Sequence, residues 1–319
     1  MVKHIVEDIQ KSYGITCGEI ASVAGGWLNL KWKISAEQGN FLVKQFSFER
    51  FTPENLRQIE AALQRQMLVK QDGVLCPYIL PYKGHAIRLF DDKTAYMVMD
   101  FCSGKTENAQ TSTEIQMKSL GSACGTMHKA FQKIPYSSVK GFPLNDEDFI
   151  ALVRENFSLR TKDDSFHTDS EYQRAVLAQK PIIDCLSTDF LKRLPKGISH
   201  EDFAADNLLF YGDSLWAIID FDRNQYNYIW HDVGRAILSF ALENNELNLK
   251  KILAFVDGYS QKFPLTMQDI PNILRMSWCI EAPWWIQPST FHQNTEKVIR
   301  FKHEILWLTE HWFELDSLF

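Results

Sequence analysis

The hydrophobic period of this chain changes once, near residue 101, and that change restricts it to a β-rich front followed by a helical back. From Cys17 to Phe46 apolar residues such as Leu30, Trp32 and Ile34 alternate with polar ones, and Phe41-Leu-Val-Lys-Gln-Phe46 follows a Gln-Gly-Asn turn. Such alternation fits antiparallel strands. Ala86 to Phe90 and Ala95 to Phe101 read as two more strands across Asp91-Asp-Lys. The front also carries a short helix near 2–13 and a second that starts at Thr52-Pro-Glu, repeats Leu56, Ile59, Leu63 and Met67 at helical spacing, and stops at Gly73. Beyond Phe101 helical spacing dominates, near 112–131, 145–160, 169–192, 231–243, 246–262, 267–281 and 292–314. One strand pair interrupts it, Asn207 to Tyr211 with Leu215 to Asp220, joined by Gly-Asp-Ser.

With 319 residues, the chain has length for two cores with a cleft between them. The formal charge of -6 has acidic and basic residues interspersed, so there is no basic field to neutralise nucleic-acid phosphates, and a nucleic-acid partner is not expected. The six cysteines stand singly, without CxxC pairs or zinc spacing, as buried thiols of a reducing compartment do. Charges break up the apolar residues at the N-terminus, and no run approaches the roughly 20 apolar residues of a membrane span. A cytoplasmic protein with no membrane partner is expected.

Phosphoryl transfer asks for a carboxylate to orient the attacking hydroxyl and for metal ions to neutralise phosphate charge. His200-Glu-Asp-Phe-Ala-Ala-Asp-Asn207, with Ile219-Asp-Phe-Asp222 after the strand pair, supplies both. Asp202 sits on a loop able to reach an acceptor hydroxyl. Asn207 and Asp220 offer hard oxygens on adjacent segments, which suits Mg2+. Taken singly, such residues are common in turns; their joint spacing, just before an apolar helix, points to catalysis. Asp206 and Asp222 adjoin these residues as solvated neighbours, or in the case of Asp222 as a second metal ligand or a group that fixes the loop.

These motifs resemble the aminoglycoside phosphotransferase and choline kinase family, the small-molecule branch of the protein-kinase-like fold, and the likeness runs over nearly the whole chain. It implies an α+β, two-lobe fold, with residues 1–100 as a nucleotide-binding lobe and 101–319 as a helical lobe with the catalytic loop and acceptor pocket. The family reads His-Gly-Asp where this chain has His200-Glu-Asp202. By resemblance Asp202 is the catalytic base, Asn207 and Asp220 hold the metal, and Asp232 of Trp230-His-Asp-Val-Gly-Arg235 holds the catalytic loop in place. His128 reads as a packed helix-end residue.

The same resemblance places the nucleotide, ATP or GTP, against the front lobe. Ala24-Gly-Gly-Trp-Leu-Asn29 is similar to the family's phosphate-covering loop, with Gly25 and Gly26 letting backbone N–H groups approach phosphate; a plain hairpin turn is the alternative. Lys44, in an apolar strand, needs its charge matched by phosphate and a carboxylate. Glu60 resembles the helix glutamate that pairs with it, and Glu54 is the other possibility. Met99, Asp100, Phe101 and Cys102 form the expected hinge, whose backbone would bond the base. The aromatic segment Ser277-Trp-Cys-Ile-Glu-Ala-Pro-Trp-Trp285 offers Trp278, Trp284 and Trp285 as a box for a cationic acceptor, with Glu281 adding charge; the alternative is core, with Pro283 ending a helix.

The expected chemistry is direct, Mg-assisted transfer from a nucleoside triphosphate to the hydroxyl of a small molecule, an amino alcohol, choline-like amine, sugar or aminoglycoside. With no Ala-Pro-Glu segment after Asp222, a protein acceptor is not expected. A non-catalytic, nucleotide-binding or structural protein of the same fold is the competing expectation.

Overall fold

Parity along two central strands decides which side chains reach the cleft. The computed structural model describes residues 2–23, 30–91, 94–135 and 145–319. Its front sheet is antiparallel, with β1 (Cys17–Ser22), β2 (Leu30–Ala36), β3 (Gly39–Ser47), β4 (Ile79–Leu80), β5 (Arg88–Leu89) and β6 (Thr94–Asp100) arranged as β1-β2-β3-β6-β4, and β5 also on β6. Phe41 and Val43 of β3, with Tyr96 and Val98 of β6, pack on Ile5 and Ile9 of helix α1 (Val2–Tyr13). The alternate residues Phe46, Ala95, Met97 and Met99 pack on Leu56 and Leu63 of α2 (Pro53–Gln71). Lys44 shares parity with Phe46, so it leaves β3 on the α2 side. Thr52 caps α2 in a reciprocal box with Asn55, and Pro53 fills the first turn, as expected.

The back begins with β7 (Lys105–Thr106) and α3 (Glu114–Phe131). After α4 (Asp146–Lys162) comes α5 (Asp164–Thr168), and the helix expected over 169–192 is instead two short ones, α6 (Ser170–Leu177) and α7 (Lys180–Cys185). Asp163 and Asp169 accept hydrogen bonds from the first turns of α5 and α6, so each starts a new helix rather than continuing one. Four strands follow: β8 (Lys196–Ser199), β9 (Leu208–Tyr211), β10 (Ser214–Ile218) and β11 (Gln225–Tyr228). β9 and β10 are the expected pair. The β8–β11 ladder, with Gln225 opposite Ser199, was not expected; it clamps both ends of the segment 200–224.

The remaining helices are α8 (His231–Ala241), α9 (Leu249–Ser260), α10 (Ile270–Trp285), α11 (Pro288–Phe291), α12 (Glu296–His311) and α13 (Leu315–Leu318). Pro283 does not end α10, which runs two residues further. α3 and α9 cross in near backbone contact: a Cβ on Gly121 would lie 2.0 Å from the Phe255 carbonyl oxygen, and one on Gly258 2.0 Å from that of Lys118. This crossing brings His128 and Tyr259 beneath α8. Among the described residues no helix is long and apolar enough to cross a membrane.

Candidate active site

The loop after β8 is held from behind by one buried aspartate. Asp232, in the first turn of α8 and fully buried, accepts from His200 N at 2.7 Å, Glu201 N at 3.1 Å and His128 Nε2 at 3.0 Å. Burial alone would raise its pKa, but the His128 bond and the neighbouring charges hold it below the usual carboxylate value. His200 donates from Nε2 to the Ile219 carbonyl at 3.1 Å and accepts Asp202 N at Nδ1, 3.3 Å. It thereby ties the loop to the strand end that carries Asp220. The expected structural roles of Asp232 and His128 agree with these contacts.

Glu201 explains itself in the same geometry. Its φ is +69°, a left-handed conformation that favours glycine. Here the glutamate carboxylate accepts from Ser199 Oγ, from Gln225 Nε2 at 3.1 Å and from Asn227 Nδ2 at 2.9 Å. These bonds to β8 and β11 offset a backbone strain of about 1–2 kcal/mol.

In front of the loop the acidic residues face the other lobe. Asp202 is half-buried, and its carbonyl accepts Asn207 Nδ2 at 2.8 Å, which orients the Asn207 amide with Oδ1 as its remaining acceptor. Asp220 follows β10 in a left-handed conformation, φ +67°. Lys44, 1% exposed, donates to Asp220 Oδ1 at 2.6 Å and to Asp222 Oδ2, and Lys31 stands 3.6 Å from Asp220. Burial pulls the Lys44 pKa down, yet the two carboxylates outweigh it and hold it above the ordinary lysine value. Asp220 is lowered, since Lys44 and Lys31 outweigh its burial; Asp222 is raised, by burial and by the Asp220 charge.

Asp222 Oδ1 is buried and, among the described residues, has no hydrogen-bond partner. Together with Asp220 and Asn207 Oδ1 it makes a set of hard oxygens that fits a small divalent cation with water and phosphate completing its shell. Among the described residues no three His, Cys, Asp or Glu groups converge as a self-sufficient metal site, so such a cation depends on the Asn amide and the nucleotide.

Several expected placements differ. Glu60 does not meet Lys44. Its carboxylate accepts Ala86 N at 3.0 Å and Ile87 N at 2.7 Å, because that stretch is a turn with unpaired amides rather than a full strand. Glu54 pairs with Arg57. Trp278 is core, 0% exposed, its Nε1 donating to Thr309 Oγ1 at 2.8 Å and its ring edge-on to Trp312. Trp285 stacks on Phe301 at 4.4 Å and donates to Glu281, while Trp284 is 64% exposed; the three rings form no box. Glu281 receives His231 Nε2 at 3.0 Å, and despite burial its pKa falls to about 2 through Arg235 and His231. Asp206 is not simply solvated: Arg300 holds it with two bonds, at 3.2 and 3.0 Å. Gly25 and Gly26 lie outside the described residues.

At the hinge, Asp100 N donates to Tyr78 O and Phe101 N to Asn40 O, both at 2.9 Å. Those two amides are committed to the sheet. A contact that sequence reasoning missed joins the lobes beside them: Arg65 of α2 donates to Asn224 Oδ1 at 2.6 Å and to its carbonyl at 2.7 Å. Arg65 falls in the stripe Ala62, Arg65, Gln66, Val69, all buried, and a charged residue in an inward stripe was the available signal.

Comparison with known proteins agrees with this architecture. The profile of the phosphotransferase enzyme family matches residues 19–259, a span that includes Lys44, the catalytic loop and Asp232. A homoserine kinase of Rhodopseudomonas palustris (strain BisB18) is 25% identical over 262 residues, 80% of this chain and 75% of that protein. One from Methylobacillus flagellatus is 24% identical over 268 residues, covering 81% and 76%. Among solved structures, a spectinomycin phosphotransferase with ADP and spectinomycin has TM-score 0.65 at 16% identity, covering 98% of each chain. An amicoumacin kinase with AMP-PNP and Ca2+ has TM-score 0.62 at 14% identity, covering 96% of each chain. These likenesses establish the two-lobe, protein-kinase-like α+β fold. The chain belongs to the phosphotransferase enzyme family, as a small-molecule kinase with an alcohol group as acceptor.

Proposed function

We propose that this enzyme transfers the γ-phosphoryl group of ATP or GTP, with Mg2+, to the hydroxyl of a small amino alcohol by direct in-line displacement. The observation that carries the reading is the Lys44–Asp220–Asp222 cluster across the cleft, with Asp222 Oδ1 unpartnered and Asn207 beside it. The homoserine kinases among the relatives favour an amino alcohol over a sugar.

On this reading residues 1–100 hold the nucleotide and 101–319 carry catalysis and the acceptor. The Asp100 carbonyl and the Cys102 N–H, just past the end of β6, would bond the base, with Asp100 N and Phe101 N already used in the sheet. Two of the three Lys44 donors go to Asp220 and Asp222; the third is left for phosphate. Asn207, Asp220 and Asp222 would hold Mg2+, which when bound neutralises phosphate charge. Asp202 takes the hydroxyl proton as the acceptor oxygen bonds to phosphorus and the β–γ bridging bond breaks, releasing the nucleoside diphosphate. No phosphoenzyme is needed. The cytoplasm, where nucleotide is abundant and single thiols stay reduced, is the site of action that fits.

Isothermal titration with Mg·ATP, followed by ATP consumption across a panel of small alcohols, tests the reading. Binding with acceptor-dependent consumption is expected. Binding without turnover on any acceptor would favour the non-catalytic alternative.

A further inference from the structure

Three residues around one cavity each carry a buried polar atom without a hydrogen-bond partner among the described residues. The cavity, of about 250 Å³, lies between the segment after the hinge, α8 and α12, and its walls include Asn108, Gln110, Ser239, Asn245, Arg300 and Glu304. Ser239 is 2% and Glu304 1% exposed, and Ser239 Oγ, Glu304 Oε1 and Arg300 Nε have no hydrogen-bond partner. Arg300 Nε and Glu304 Oε1 form an ion pair at 3.8 Å, a separation too long for a direct hydrogen bond. The other ends of the same side chains reach the catalytic machinery. Arg300 Nη1 and Nη2 hold Asp206, next to Asn207. Glu304 Oε2 accepts Arg235 Nη1 at 2.8 Å, and the Asp202 charge is felt at Arg235.

We propose that this cavity binds the amino-acid head, ammonium and carboxylate together, of a small hydroxy amino acid whose hydroxyl is the acceptor. This rests on the phosphotransferase reading above and names the subsite and substrate class within it. Glu304 Oε1 and Ser239 Oγ accept from an ammonium, and Arg300 Nε donates to a carboxylate, so the unpartnered atoms ask for both groups at once. Charge points the same way. At the cavity wall Arg300 stands against Glu304, one charge of each sign, a balance that a head of net charge would upset and a zwitterion preserves. Burial holds the Glu304 carboxyl above its usual range despite Arg235, so an incoming ammonium meets a group still short of positive charge.

The test is calorimetric and needs no turnover. L-homoserine is titrated into the full-length protein, beside 3-amino-1-propanol, which lacks the carboxylate, and 4-hydroxybutanoate, which lacks the ammonium. L-homoserine should bind, with each truncated analogue at least about tenfold weaker. Ser239→Ala, which removes one oxygen without adding bulk, should weaken L-homoserine about tenfold and leave Mg·ATP affinity unchanged, and Arg300→Gln should weaken L-homoserine to a similar degree. Failure of L-homoserine to bind, equal binding of the analogues, or unchanged affinity in both variants would overturn the subsite. Turnover of ATP on some other alcohol in those cases would leave the phosphotransferase reading standing; homoserine binding as expected without ATP turnover would remove that reading instead.

Discussion

The two faces of the catalytic loop carry the same kind of residue in opposite states. Behind the loop, Asp232 is fully buried and its oxygens take two backbone amides and a histidine. In front, among the described residues, Asp220 and Asp222 pair with lysines of the other lobe, and Asp222 retains an unpartnered oxygen. A carboxylate whose partners are all internal stabilises the fold; one left partly unsatisfied at a cleft is prepared for a ligand. On the proposed reading, the difference separates support from chemistry without reference to residue type.

Substitution should divide along that line. Asp220→Ala is expected to lower kcat on the order of 10⁴-fold or more with little change in melting temperature; a variant that unfolds instead would erase the distinction between the faces. Asp202→Ala should retain Mg·ATP affinity by calorimetry and lose about 10²–10⁴-fold in kcat. Asp232→Ala should do the reverse of Asp220→Ala, costing about 3–5 kcal/mol in denaturant unfolding because His128 and two amides lose their partner. An Asp232 variant of normal stability and no activity would move that residue to the front face.

Two smaller effects sharpen the picture. His231 lies between Glu201 and Glu281, and although burial lowers its pKa, those carboxylates raise it from 6.5 to about 10. The folded state therefore binds its proton more tightly than the unfolded chain does. That stabilisation is complete below about pH 6.5 and is lost as pH rises through about 10. Thermal melts of the wild type and His231→Gln should differ most near pH 6 and converge towards pH 10; a gap that widens with pH would contradict the buried ion pair. Glu60→Gln should cost about 1 kcal/mol of stability and leave kcat unaltered, since Glu60 binds Ala86 and Ile87. A large loss of kcat would restore its pairing with Lys44.

Local patterns carried much of this into the sequence. The alternation of Leu30, Trp32 and Ile34, the Thr52-Pro start of α2 and the spacing from Asp202 to Asn207 each depend on neighbours a few residues away, and each was legible. Pairings across the chain were not. Lys44 meets Asp220 and Asp222 over more than 170 residues, and nothing local distinguishes Asp222 from a solvated turn residue. Glu60 sat at a plausible helical position, but its partners come from a turn that had been read as strand. The tryptophans of α10 show the same limit: a ring in a box and a ring in a core have the same spacing, and only tertiary packing put Trp278 on Trp312.

Phosphorus NMR of a mixture of ATP, Mg2+ and L-homoserine or related amino alcohols tests the central claim most directly. The wild type should convert the γ-phosphate resonance into a phosphomonoester in step with ADP, and neither Asp202→Ala nor Asp220→Ala should do so at a comparable rate. Undiminished transfer by both variants, or ADP formation with only free phosphate in the presence of every acceptor, would contradict it.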